Sequence, residues 1–145
     1  MRLPPAILLG LLPLAFNLGH AAENVLSEPA KNFTTSTYTP EGYRSMLMQG
    51  TKVRMLTPRL FEFTDTNLTV FSGDASNRVD SVLLSPLARV ALDNDIASGP
   101  GAIRLIRDDL DLTGEQWTYD HAKKSISIAN NVRVVFHSEL SDLLK

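Results

Sequence analysis

The chain has 145 residues, with 14 Lys and Arg against 16 Asp and Glu, a formal charge of −2 and no cysteine. This balance lacks the basic surface of a nucleic-acid binder, and the absence of thiols excludes a disulfide framework, a thiolate metal site and a lipid-modified cysteine. A hydrophobic core must therefore hold the domain without covalent help.

Residues 1–21 read as a secretory signal peptide. Arg2 supplies the positive start, residues 6–18 form an apolar stretch interrupted by Pro13 and Asn17, and Gly19-His20-Ala21 offers small residues for cleavage before Ala22. The stretch is shorter than the roughly 20 residues of a bilayer-spanning helix. The expectation is a cleaved, periplasmic protein, with partners as its route to any inner-membrane association; retention of the segment as an anchor is the alternative. Residues 22–42 are rich in Thr, Ser, Asn, Glu and Pro. They predict a flexible N-terminal segment, a spacer or a strand that orders on a partner.

From residue 43 to 137 the pattern is one of short strands. Met46 and Met48 share a face over 44–49, and Val53 and Met55 over 52–56. Phe61 and Phe63 share a face over 59–64, as do Leu68 and Val70 over 67–71. Residues 72–74 read as a turn. Two apolar strands, 78–84 and 87–92, flank Ser85-Pro86, and residues 93–95 and 98–101 read as further turns. Ile103 and Leu105 mark the strand at 102–106, and 108–113 leads into a closing meander. There Trp117/Tyr119, Ile126/Ile128 and Val132/Val134/Phe136 alternate across three short strands, broken at 120–124 and at Asn130-Asn131.

This density of turns predicts an all-β fold, a single twisted antiparallel β-roll or β-jellyroll over 43–137. A weak repeat supports a roll: Val53-Arg54-Met55-Leu56 and Leu60 match Ile103-Arg104-Leu105-Ile106 and Leu110. The C-terminal tail 138–145 places Leu140, Leu143 and Leu144 at helical spacing behind Ser138, which predicts a short helical tail docked on one end.

No catalytic constellation emerges. His121 sits in a turn and His137 follows the last strand, neither with partners nearby in sequence. Asp108, Asp109, Asp111 and Glu115 alternate with Leu110 and Leu112, as the wet face of a strand does. Asp93-Asn94-Asp95 begins like a calcium loop, but Ala97 and Ser98 stand where a ligand and the turn glycine belong. Neither glycine cluster matches a phosphate cradle. No catalytic residue, metal site or cofactor is expected. The candidate site is instead an apolar lining: Met46, Met48, Val53, Met55, Phe61, Phe63, Ile103, Leu105, Trp117, Tyr119, Ile126, Ile128, Val132, Val134 and Phe136. Such a lining is either a filled core or a groove open to acyl chains.

The segment GEQWTYDHAKKSISIANNVRVVF resembles the end of the periplasmic lipopolysaccharide-export proteins, the OstA-type β-jellyroll family that includes LptA and LptC. The matching residues are Gly114, Trp117, Tyr119-Asp120, Lys123-Lys124, Ile126-Ser127-Ile128 and Asn131-Val132-Arg133-Val134. The upstream Ile103-Arg104-Leu105 unit fits the same scheme, and the resemblance covers about 36 residues and extends more loosely back to about Tyr43. Asn130 stands where the family has glycine, and the leader reads as cleavable where the LptC branch keeps its helix. The resemblance implies a non-catalytic jellyroll that shields the acyl chains of lipopolysaccharide or a related lipid. It implies edge-to-edge joining with other β-jellyroll export components, self-assembly included. Two other functions stay open: a ligand-free structural or adaptor β-domain pairing through its sheet edges, and, with least support, a hydrolase using Asp109 or Asp111.

Overall fold

A computed structural model describes residues 28–137, and among them there is no helix. The fold is all-β, as the turn density predicts. One antiparallel sheet runs in chain order through β1 (Ala30–Tyr38), β2 (Arg44–Thr57), β3 (Leu60–Phe71), β4 (Val79–Ala91), β5 (Ile96–Ile106), β6 (Leu110–Asp120) and β7 (Ser125–Phe136). Among the described residues each strand pairs only with its chain neighbours, so the sheet is not closed and β1 and β7 are its edges.

A single crease crosses all seven strands near their middles. Asn32, Asp65, Gln116 and Asn131 have left-handed backbone there (φ 52°, 50°, 56° and 52°). The registers bring the crease positions side by side: Asn32 beside Thr51, Thr51 beside Asp65, and Asp65 beside Pro86. The line continues through Pro100-Gly101, Gln116 and Asn130-Asn131, with register slips between Leu84 and Arg89, Gly99 and Ala102, and Thr113 and Glu115. In β2, β3, β4 and β6 the inward set changes parity at the crease. In β3 it passes from Phe63 to Thr66, Leu68 and Val70; in β4, from Leu83 and Ser85 to Ala88 and Val90. β3 and β4 stay in register with each other there, and Asp65 has left-handed backbone, whereas β5 and β7 carry the extra residue of the slips and β5 keeps its inward set on Ala97, Gly99, Ile103 and Leu105. Hydroxyls satisfy carbonyls where the ladder is broken. Ser85 Oγ donates to Ala102 O at 2.7 Å and Leu87 O at 3.0 Å, and Thr66 Oγ1 donates to Phe63 O at 3.2 Å.

The crease folds the sheet onto itself. One half contains residues 33–38, 44–50, 66–71, 79–85, 102–106, 110–114 and 132–136; the other contains the remaining part of each strand. On a flat sheet the two ends of the 11-residue β6 lie more than about 30 Å apart. Lys124, past the far end of β6, nevertheless donates to Phe71 O of the opposite half at 3.4 Å, and His121 Nε2 lies 2.6 Å from Ser45 Oγ. Both halves contribute to one apolar core, with Leu83, Ile103 and Val70 as its most enclosed large side chains.

Three features differ from the sequence expectation. The turns read at Ser85-Pro86, 98–101 and 130–131 are crease positions inside continuous strands, because proline, glycine and asparagine suit a bulge as well as a turn. The sequence repeat extends to Phe61-Glu62-Phe63 with Leu68-Thr69-Val70 against Trp117-Thr118-Tyr119 with Ile126-Ser127-Ile128, and this part is not structural: Phe63 and Leu68 lie on one creased strand, whereas Tyr119 and Ile126 face each other across a hairpin. Part of the 22–42 segment is ordered, since Ala30–Tyr38 forms β1. It pairs its backbone with β2, and its Phe33 meets Phe63 edge-on at 5.7 Å. An edge strand needs little apolar composition when one aromatic and a hydrogen-bonded ladder hold it. The signal segment 1–21 and the tail 138–145 lie outside the described residues.

Close approach at the crease demands glycine. A Cβ on Gly99 would stand 2.6 Å from both Leu87 O and Trp117 Nε1, while one on Gly101 would meet nothing within 4 Å. We expect Gly99→Ala to cost about 1–3 kcal/mol. Gly101→Ala should change stability by less than about 0.5 kcal/mol. Urea unfolding of the two variants checks this, and equal midpoints would contradict it.

Candidate functional site: an apolar interior with an open end

The interior assembles from the inward faces of both half-sheets. Of the lining expected from sequence, Met46, Met48, Val53, Phe63, Ile103, Leu105, Trp117 and Tyr119 are buried in one cluster, with Phe61, Ile126 and Ile128 packed against it. Met55 is half-buried. Leu68, Val70, Leu83, Ala88, Val90 and Ala97 complete the cluster and were absent from the expected lining. In β4 both faces carry apolar residues, so alternation alone does not identify the inward one. For Ala97 the reading of 98–101 as a turn hid the strand it belongs to.

Val132, Val134 and Phe136 depart from the expectation of an enclosed position. Their face is the inward one: Val134 stands opposite Leu112, and Phe136 opposite Leu110. Yet they are 51%, 38% and 57% exposed. Among the described residues β7 is the last strand, and none of them covers its 132–136 portion. The lining therefore runs out of the core onto an uncovered apolar surface. The opposite end differs. On β1, Phe33 is followed inward by Thr35 and Thr37, and Thr37 Oγ1 is buried without a hydrogen-bond partner.

Polar contacts join the half-sheets along the side away from the crease. Lys124 Nζ lies 3.3 Å from Asp80 Oδ2 and also reaches Phe71 O. His121 sits between Ser45 Oγ and Tyr119 Oη, at 2.6 and 3.2 Å, and its backbone N–H donates to Asp95 O at 3.0 Å. Burial pushes the Tyr119 phenol up to about 12, with Asp80 and Asp120 adding to the effect. Desolvation lowers the His121 pKa below its ordinary value; Lys124 acts in the same direction, and Asp95 and Asp120 oppose it. Beside this seam a cavity of about 400 Å³ opens between the halves, floored by Val70, Leu105, Tyr119 and Ile126 and rimmed by charged side chains.

Of the acidic residues weighed for catalysis, Asp109, Asp111 and Glu115 hold structural partners, and Asp108 forms no ion pair among the described residues. Asp111 accepts two bonds from Arg104, which hold its carboxyl below the usual range. Asp109 pairs with Arg107 at 3.1 Å, and Glu115 accepts from Asn131 Nδ2 at 3.0 Å. Asp93 pairs with Arg59 at 3.2 Å. Among the described residues no group of three or more acidic, His or Cys side chains is placed to hold a metal. No family model and no curated protein matches the chain.

The seam makes stability depend on pH. The folded-state pKa of His121 lies below the 6.5 of an unperturbed imidazole, so the unfolded chain takes up the proton more readily. Its contribution is complete above pH 6.5 and is lost as pH falls through the depressed folded value. Urea midpoints between pH 8 and pH 5 should fall more steeply for the wild type than for His121→Gln. Parallel curves would contradict this.

Proposed function

We propose that this chain is a non-catalytic, periplasmic lipid-binding transport module that shields acyl chains of lipopolysaccharide or a related lipid between the inner and outer membranes. The observation that carries the reading is the exposed inward face of β7. Val132, Val134 and Phe136 extend the core lining into solvent, and an apolar surface continuous with a core suits an acyl chain. The free edges support the same reading. An unpaired β7 and an unpaired β1 are joints at which similar rolls, other copies included, would extend one lining into the next. The family resemblance of 114–136 points the same way.

One observation favours the ligand-free adaptor. At the centre, Leu83, Ile103 and Val70 are almost wholly enclosed, so the roll there is filled by its own side chains. In that reading the exposed face of β7 covers a protein partner instead of a lipid.

The exposed positions separate the two. Met48 and Phe63 are each 3% exposed, so probes there would disturb the core. A photo-crosslinker at Val134 or Phe136 should capture lipid in cells, while one at Arg133 or Thr118 on the outer face should not. Val134→Asp should lower lipid retention at least about tenfold, because a charge in an apolar contact costs more than about 1.4 kcal/mol. It should leave the folded domain intact. Capture of protein alone at Val134 and Phe136, with no lipid, would decide for the adaptor.

A further inference from the structure

The side cavity carries a charge pattern that the lipid reading alone does not explain. Its rim holds three cations, Arg78, Arg107 and Lys124, and three carboxylates, Asp80, Asp108 and Asp109. They are not evenly mixed. Arg78 and Lys124 both approach Asp80, at 3.1 and 3.3 Å, so this cluster carries a surplus positive charge. Arg107 is matched by Asp109 at 3.1 Å, and Asp108 forms no ion pair among the described residues. That cluster carries a surplus negative charge. The positive cluster comes from the start of β4 and the β6–β7 turn and the negative one from the β5–β6 turn, and buried Val70 and Leu105 line the same cavity.

We propose that this side opening seats a lipid headgroup bearing both charges, of the phosphoethanolamine type, with its phosphate toward Lys124 and Arg78 and its ammonium toward Asp108. The inference rests on the lipid reading and narrows its ligand class. A chain passing over the floor would join the interior lining, while the headgroup stays at the wet rim. A singly anionic headgroup satisfies only the positive cluster. A bisphosphorylated one sets its second phosphate against Asp108 and Asp109, and repulsion of that kind selects between ligands.

The test uses the purified full chain and three probes: short-chain phosphatidylethanolamine, phosphatidylglycerol with the same acyl chains, and bisphosphorylated lipid A. Native mass spectrometry of equimolar mixtures reads the preference. The phosphatidylethanolamine should bind about fivefold more tightly than the phosphatidylglycerol, the scale of one half-exposed ion pair. Asp108→Lys should reverse that order. Asp108 has no partner to lose among the described residues, so the variant should fold normally. Equal binding of the two phospholipids, tighter binding of lipid A, or an unchanged order in Asp108→Lys would overturn the headgroup assignment. If Val134→Asp still weakens both phospholipids in that case, the lipid reading survives without it. Failure of all three probes to bind would overturn both.

Discussion

Everything in this fold follows from one constraint: a single meander has only itself to bury its apolar face against. Among the described residues seven strands in chain order make one sheet and no other element lies against it. The crease supplies the second layer by folding the sheet in two. Folding keeps one face of the sheet on the inside of both halves, and the apolar pattern follows that face: it shifts parity at Asp65 in β3 and at Pro86 in β4 and keeps it through β5. The glycines follow from the same geometry, because neighbouring backbone and large side chains cross the inner corner. Trp117 and Leu87 meet Gly99, and Ile128 meets Gly114. At the far side the polar seam of His121, Lys124, Asp80 and Ser45 joins the free ends of the two halves.

The alternation of apolar residues made the strands legible and named ten residues that prove buried, Leu68, Val70, Trp117 and Tyr119 among them. The crease was not legible. Pro86, Gly99, Pro100 and Asn131 are turn-forming residues, and a bulge uses the same backbone chemistry as a turn. Only pairing partners separated in sequence distinguish the two. β1 was hidden for a different reason: its Thr-rich composition matches that of a disordered segment, whereas its order comes from the β2 backbone beside it. Alternation also identified the inner face of β7 correctly, but it carries no information on whether a second layer covers that face. Val132, Val134 and Phe136 therefore looked like core and are surface.

An open roll accepts costs that a closed barrel avoids. Two free edges invite pairing, and exposed valines and a phenylalanine invite association. The interior is graded, from almost fully enclosed side chains at Leu83 and Ile103 to a bare apolar face at β7. In the lipid reading that gradient has a purpose: the filled centre holds the fold while the uncovered end and the side cavity meet the ligand. Removal of a contact at the centre would then act on stability, and removal at the β7 end on binding.

Contact-range intermolecular NOEs from an acyl chain test this division most directly. With methyl-labelled protein and a protonated fatty acid, the methyls of Val132, Val134 and Leu112 should show cross-peaks to the chain methylenes. Val135, which points to the outer face of the same strand, should show none. Equal cross-peaks at Val135 and Val134, or none at either, would contradict an acyl-chain site at the open end of the roll.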